Sequence, residues 1–174
     1  MTSATIVRHD QLVQVVARVA RLCGVTTRIE PKVDEEDNSR TDGELFFHAQ
    51  TAHFDVSCVF PASLKYRKAH YPLGAARWRE QDKTRDYGDL VRGQGALFYP
   101  AVVEVYGGLG ERFKELISKI EEEGALNGVR TINGMKIQTY LSRALSFKLQ
   151  AGNAMVDILG SKRSRVVFID SDLK

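Results

Sequence analysis

Cysteine is scarce: the 174 residues hold two, Cys23 and Cys58, and neither stands in a CxxC or Cys/His zinc spacing. That argues against a disulfide-stapled fold or a zinc module, and reads as two buried thiols in a reducing compartment. No apolar run approaches the roughly 18 residues of a membrane-spanning helix. The opening, Met1 to Thr5, lacks the charged-then-apolar order of a signal peptide, and it equally fits a segment inside a longer protein. There is no internal repeat and no low-complexity tract. His9, His48, His53 and His70 show no metal-ligand spacing. The glycine clusters Gly93-Gln94-Gly95 and Gly107-Gly108-Leu109-Gly110 lack the lysine and Ser/Thr of a P-loop. The second could open a helix N-terminus toward a phosphate, though a plain strand-to-helix turn explains it as well. An excess of one charge is missing too. The formal net charge is +3, so distribution matters more than total.

What remains is an ordinary globular composition, 43% hydrophobic and 27% charged, in a length suited to one domain with its own core. Leu12, Val15, Val16, Val19 and Cys23 recur at helical spacing, with Arg18 and Arg21 opposite, predicting a helix over 9–23 capped by Asp10 and ended by Gly24. Residues 25–30 alternate like a strand, and 34–40 form a polar loop with an acidic run, 34–37. Residues 44–49 and 53–60 read as a hairpin turning near Gln50 to Ala52, with Pro61 ending its second strand. Residues 62–74 have no clean period. A charged helix over 75–91 follows, with Ala75, Trp78, Asp82 and Arg85 on one side. The apolar run 96–106 predicts a central strand buried on both faces. Helices are predicted from Leu109 or Gly110 to Glu123, with Phe113, Leu116, Ile117 and Ile120 inward, and over 137–155 on Leu141, Leu145 and Leu149. Val166 to Ile169 reads as a last short strand or a tail. This order predicts an α/β fold, a mixed central sheet flanked by helices.

Asp42 and Asp55 are the chemical candidates. Twelve residues separate them, and the hairpin places them on neighbouring strands. Asp55 lies between Phe54 and Val56, where a carboxylate is costly unless paired or bound to metal. Two close carboxylates repel, and a divalent cation relieves that repulsion; oxygen ligands favour Mg²⁺ or Mn²⁺. Such an ion can activate water for displacement at phosphorus. The same residues also fit a plainer reading, in which Asp42-Gly43 is a turn and Asp55 pairs with a nearby Arg or Lys.

The stretch Arg40-Thr41-Asp42, twelve residues, then Phe54-Asp55-Val56-Ser57, followed by Lys83 and Tyr87 in a charged helix, resembles the PD-(D/E)xK, or restriction-like, endonuclease superfamily. It is most similar to the branch that serves site-specific non-LTR retrotransposons. The likeness extends from Arg8-His9-Asp10 through Glu30-Pro31 and residues 98–110 to the helix over 141–153. It implies a restriction-endonuclease-like fold spanning 1–174, excised from a longer retroelement protein with a reverse transcriptase. It further implies an Mg²⁺- or Mn²⁺-dependent nuclease that nicks target DNA, working inside the cell in the nucleus. Asp42 and Asp55 would hold the metal, with Glu30 as a further ligand, while Lys83 and Tyr87 complete the catalytic set. Two departures stand out: Thr41 replaces the family's proline, and no lysine lies two places after Asp55.

Lys65, Arg67, Lys68, Arg77, Arg79, Arg85 and Arg92 cluster among Tyr66, Tyr71 and Trp78, a mixture suited to a phosphate backbone with some base contact, and equally to a solvated helix. Glu104, inside the apolar run, reads as a structural carboxylate. The rival to the nuclease is an inactive module of the same fold that binds nucleic acid or a protein partner. A third reading, a small-molecule enzyme, would use Glu104 and Gly107-Gly108 at the strand ends.

Overall fold

A computed structural model describes residues 3–34, 38–69 and 71–170, with side chains from residue 4 to residue 158. The acidic positions 35–37 and His70 lie outside the described residues. The chain runs α1 (Ser3–Leu22), β1 (Thr26–Ile29), β2 (Gly43–Phe46), β3 (Thr51–Val59), a 3₁₀ turn (Leu64–Tyr66) and α2 (Gly74–Gly93). It continues with β4 (Leu97–Glu104), α3 (Glu111–Leu126), β5 (Thr131–Ile132), β6 (Met135–Lys136) and α4 (Ile137–Asp170). The architecture is α/β, a mixed four-stranded sheet with flanking helices. Its strand order is β1-β2-β3-β4; the first three are antiparallel and β4 runs parallel to β3.

The period-two alternation of β3 sorts its side chains between two layers. Ala52, Phe54 and Val56 enter the main core, with Leu12, Val16 and Val19 of α1, Phe113, Leu116 and Ile120 of α3, and Leu141, Leu145 and Leu149 of α4. The other face carries His53, Asp55 and Ser57, and ends in Val59, which packs with Ala75, Ala76 and Val102 beneath α2. A polar row is thus buried under α2 while the opposite face is apolar.

Several expectations need adjusting. The first helix starts at Ser3, six residues before the predicted start, so Asp10 is no cap; its carboxylate lies 3.1 Å from His9 Nδ1. Gly24 does end the helix, at φ +79°. The apolar run is buried on both faces but forms the last strand in the sheet order. Its flanks are covered by α2 and α3, and its outer edge is partly closed by the loop before α3, where Gly110 N–H donates to Val102 O at 2.9 Å. The buried residues of α2 are Gly74, Ala75, Ala76, Glu80, Gly88 and Val91; of the predicted side, Ala75 is buried, Trp78 and Asp82 are half-buried and Arg85 is exposed. The small Ala75 and Ala76 pack against Val59 and Val102 of the sheet. Residues 166–169 belong to α4. The β5–β6 hairpin was not anticipated, although Asn133-Gly134, at φ +50° and +74°, is the pair its two-residue turn requires. Cys23 is buried as expected; Cys58 is half-exposed on a cleft wall.

Candidate functional site

Asp42 immediately precedes β2, and its backbone O accepts from Glu30 N–H at 3.1 Å. The following residue is glycine for a packing reason rather than a turn. Gly43 is the register partner of Phe54, and a Cβ there would stand 2.3 Å from the Phe54 ring. Where that ladder stops, the Asp42 side chain continues it, its Oδ2 accepting from Val56 N–H at 2.6 Å.

Thr41 makes two contacts that orient Asp42. Its N–H donates to Pro31 O at 3.2 Å, a bond that proline could not make, and its hydroxyl lies 2.9 Å from the buried His53 Nδ1. Burial holds His53 below the usual histidine pKa. Its Nε2 faces Glu44 Oε1 at 3.4 Å, and Glu44 in turn pairs with Arg28. His53 Nε2 is buried without a hydrogen-bond partner among the described residues, so its approach to Glu44 is an electrostatic contact. The departure from the proline pattern therefore has a local substitute.

Asp55 is the buried member of the pair, its side chain 6% exposed. Burial first, and the Asp42 charge second, push its pKa above the ordinary carboxylate value, while Lys83 pulls it down. Lys83, from α2, places Nζ 2.7 Å from Asp55 Oδ2. The contact is an ion pair without hydrogen-bond alignment, so Oδ2 is a buried acceptor with no directed donor among the described residues. The ammonium also lies 5.0 Å from the Tyr87 ring centre, one helical turn on, and Tyr87 is braced against Phe98 with ring centres 5.9 Å apart.

These side chains line one cleft of about 590 Å³. Its walls add Arg8 and His9 from α1, Arg40 from the loop, Ser57 and Cys58 from β3, and Lys65 and Arg79. Arg79 Nε donates to Ser57 Oγ at 3.3 Å. His9 Nε2 is 3.0 Å from Asp42 Oδ2; that hydrogen bond first, with Asp42 and Asp10 charges outweighing burial, raises its pKa to about 9. A cationic imidazole therefore faces Asp42 at neutral pH.

The structure brings Asp42, Asp55, Lys83 and Tyr87 together. Of the six predicted nucleic-acid contacts, Lys65 and Arg79 line the cleft, while Arg67, Lys68, Arg77 and Arg85 do not. Arg85 pairs with Asp82 at 2.8 Å, and Arg77 lies over Tyr71 at 5.5 Å. Glu30 follows β1, with its side chain 70% exposed and its carboxylate 3.8 Å from Arg40, outside the cleft lining. Arg40 belongs to the motif at Asp42, and Arg8 and His9 to the start of the family likeness, but the sequence reading assigned none of the three a role at the site, which for Arg8 and His9 depends on α1 meeting the hairpin. Glu104 is structural, its Oε1 accepting from Ala76 N–H in the first turn of α2 at 3.3 Å. Among the described residues no group of three or more His, Cys, Asp and Glu side chains is arranged to hold a metal ion, and no helix is long and apolar enough to cross a membrane. The chain matches no protein-family model and no curated protein.

Proposed function

We propose that this domain is a restriction-like DNA endonuclease that uses Mg²⁺ or Mn²⁺, with its site at Asp42, Asp55, Lys83 and Tyr87. The observation that carries the reading is Lys83. No lysine follows Asp55 on β3, yet a helix-borne lysine reaches the same carboxylate at 2.7 Å. The donor set fits a hard divalent cation, with two carboxylates facing one cleft and a buried Asp55 oxygen without a directed donor. Two carboxylates without a third protein ligand suit Mg²⁺, which keeps several waters and takes phosphate oxygens. When bound, the ion would neutralise phosphate charge and lower the pKa of its water.

The chain's own residues supply the rest. In the hydrolysis, a water oxygen bonds to phosphorus, the P–O3′ bond breaks, and a proton ends on the departing O3′. Lys83 stabilises negative charge on the phosphoryl oxygens, and Tyr87 holds that ammonium beneath its ring face. Val56 N–H and His9 fix the Asp42 carboxylate so that it needs no reorientation. Arg79, Lys65 and Arg8 draw the phosphate backbone to the cleft. Within a retroelement protein, the nick would leave a 3′-OH to prime reverse transcription by a partner polymerase domain.

Nicking of supercoiled plasmid tests this. Wild type is expected to nick in Mg²⁺ or Mn²⁺ and not in EDTA, and Asp42→Ala, Asp55→Ala and Lys83→Ala are each expected to lose at least about a hundredfold in rate. The missing lysine two places after Asp55 favours one rival, a nuclease-like module that only binds nucleic acid or a protein partner. Salt-dependent binding without metal-dependent nicking would establish that rival.

A further inference from the structure

Phe60 and Tyr106 are aromatic side chains left on the surface where two strands end. Val59 and Glu104 are register partners, and Val105 N–H donates to Val59 O at 2.9 Å, so the ladder delivers the two rings side by side. Their centres are 6.1 Å apart, with planes at 59°. Phe60 is 47% exposed and Tyr106 is 72% exposed. Tyr106 is held on a tight turn, in which Gly107 N–H donates to Glu104 O and Glu104 N–H donates to Gly108 O, both at 2.8 Å. Gly107 takes φ +96°, which a side chain would resist. Two large apolar rings fixed in the open, beside a cleft, mark a binding surface.

The rings border a second hollow of about 430 Å³, with Arg8, Asn153 and Asp157 on its walls. Arg8 and Phe60 line both this hollow and the Asp42–Asp55 cleft, so the two spaces adjoin. Arg8 is braced at their junction. Its stem lies on Gly152, where a Cβ would come within 2.5 Å of Arg8 Cγ, and its NH1 donates to Asn153 Oδ1 at 2.7 Å. Asn153 Nδ2 donates in turn to Val105 O at 2.8 Å. Arg8 Nε is buried with no acceptor among the described residues. A fixed guanidinium there suits a phosphate. Asp157 on the wall repels phosphate and accepts hydrogen bonds from amino groups of a base. A strand leaving the cleft would therefore keep its backbone at Arg8 and turn its base toward the rings.

We propose that Phe60 and Tyr106 form a stacking platform for one unpaired nucleobase next to the phosphodiester held at Asp42 and Asp55. The inference rests on the reading of that cleft as a DNA site, and it narrows the substrate class to DNA carrying an unpaired nucleotide. A base inside a duplex is stacked on its neighbours and offers these rings no free face.

The test uses two DNAs of one sequence, a paired duplex and a duplex with one unpaired 2-aminopurine, titrated with the full chain in Ca²⁺. Wild type is expected to quench the 2-aminopurine and to bind the bulged DNA on the order of tenfold more tightly. Tyr106→Ala and Phe60→Ala remove most of that preference, Tyr106→Trp retains it, and Tyr106→Ala leaves paired-duplex binding unchanged. Thermal melts confirm that each variant is folded. Equal affinity of wild type for the two DNAs overturns the proposal, as does a preference that survives both alanine variants. Self-association that the alanine variants abolish, with base preference intact, also overturns it by assigning the rings to a second copy. Nicking in Mg²⁺ is read in parallel. Wild type that prefers the bulge but nicks nothing sinks the endonuclease reading and leaves the platform standing; wild type that nicks both DNAs with equal affinity does the reverse.

Discussion

Asp55 is buried beside a second carboxylate, an arrangement that desolvation and like charge both oppose. Its pKa lies above the unfolded value of 3.8, so its favourable contribution is present below that pH and is lost as pH rises through the folded pKa. Above its folded pKa the ionised group works against the fold. Asp55→Asn is therefore expected to raise the melting temperature in EDTA by a few degrees, equivalent to about 1 kcal/mol, while abolishing nicking. A calorimetric scan showing a lower melting temperature would contradict this balance. His9 works in the other direction. Its folded pKa of about 9 exceeds the unfolded 6.5, so its stabilisation is complete below pH 6.5 and disappears as pH rises through about 9. Allowing for its partial exposure, about 1–2 kcal/mol should be lost across that window in EDTA, and His9→Gln should flatten the decline. Urea unfolding at a series of pH values measures both. Asp42 and Asp55 stood out through their spacing taken with the order of elements around them and the family likeness; the spacing by itself fits a turn and an ion pair equally. His9 did not stand out, because its value depends on α1 crossing the hairpin end, a juxtaposition 33 residues distant in the chain that local pattern does not encode.

Helices α2 and α3 are tied by carboxylates that cap them from outside. Glu80, 5% exposed on α2, accepts Arg112 N–H at 3.0 Å and also bonds Phe113 N–H, satisfying orphan donors at the start of α3. Gly110 makes room for it, since a Cβ there would stand 2.0 Å from Glu80 Oε1. Glu80→Ala and Gly110→Ala are each expected to cost about 1–3 kcal/mol, and the double variant less than their sum, because both disrupt one cap. Additive losses in chemical denaturation would show that the two act separately. The amphipathic stripes of α1, α3 and α4 were readable because apolar spacing alone decides which face is buried. The buried face of α2 was not, since its stripe includes Glu80 and glycine in place of large apolar residues. Position 43 misled in a similar way: glycine after aspartate reads as a turn, whereas here it yields space to Phe54 across the strand pair.

For the whole molecule, what counts is where the charge lies. The net charge of +3 is small, but Arg8, His9, Arg40, Lys65, Arg79 and Lys83 converge on one cleft from four separate segments. DNA affinity should fall steeply with salt, and Arg79→Ala should reduce the log–log slope by about 1, whereas Arg92→Ala, whose guanidinium pairs with Asp89 far along α2, should leave it unchanged. Equal slopes for wild type and Arg79→Ala, from fluorescence anisotropy over a salt series, would remove Arg79 from the interface. The basic stretch 65–92 was visible as a cluster, but which of its members face the cleft depends on the rotation of α2 against the sheet.

The central claim is that Asp42 and Asp55 jointly hold a divalent cation. Anomalous diffraction from crystals soaked in Mn²⁺ tests it most directly. The account predicts a manganese peak in contact with both carboxylates and with no third protein carboxylate, lost in Asp55→Asn. A soaked crystal with no peak there, and with Lys83 alone neutralising Asp55, would contradict it and leave the pair a structural charge network.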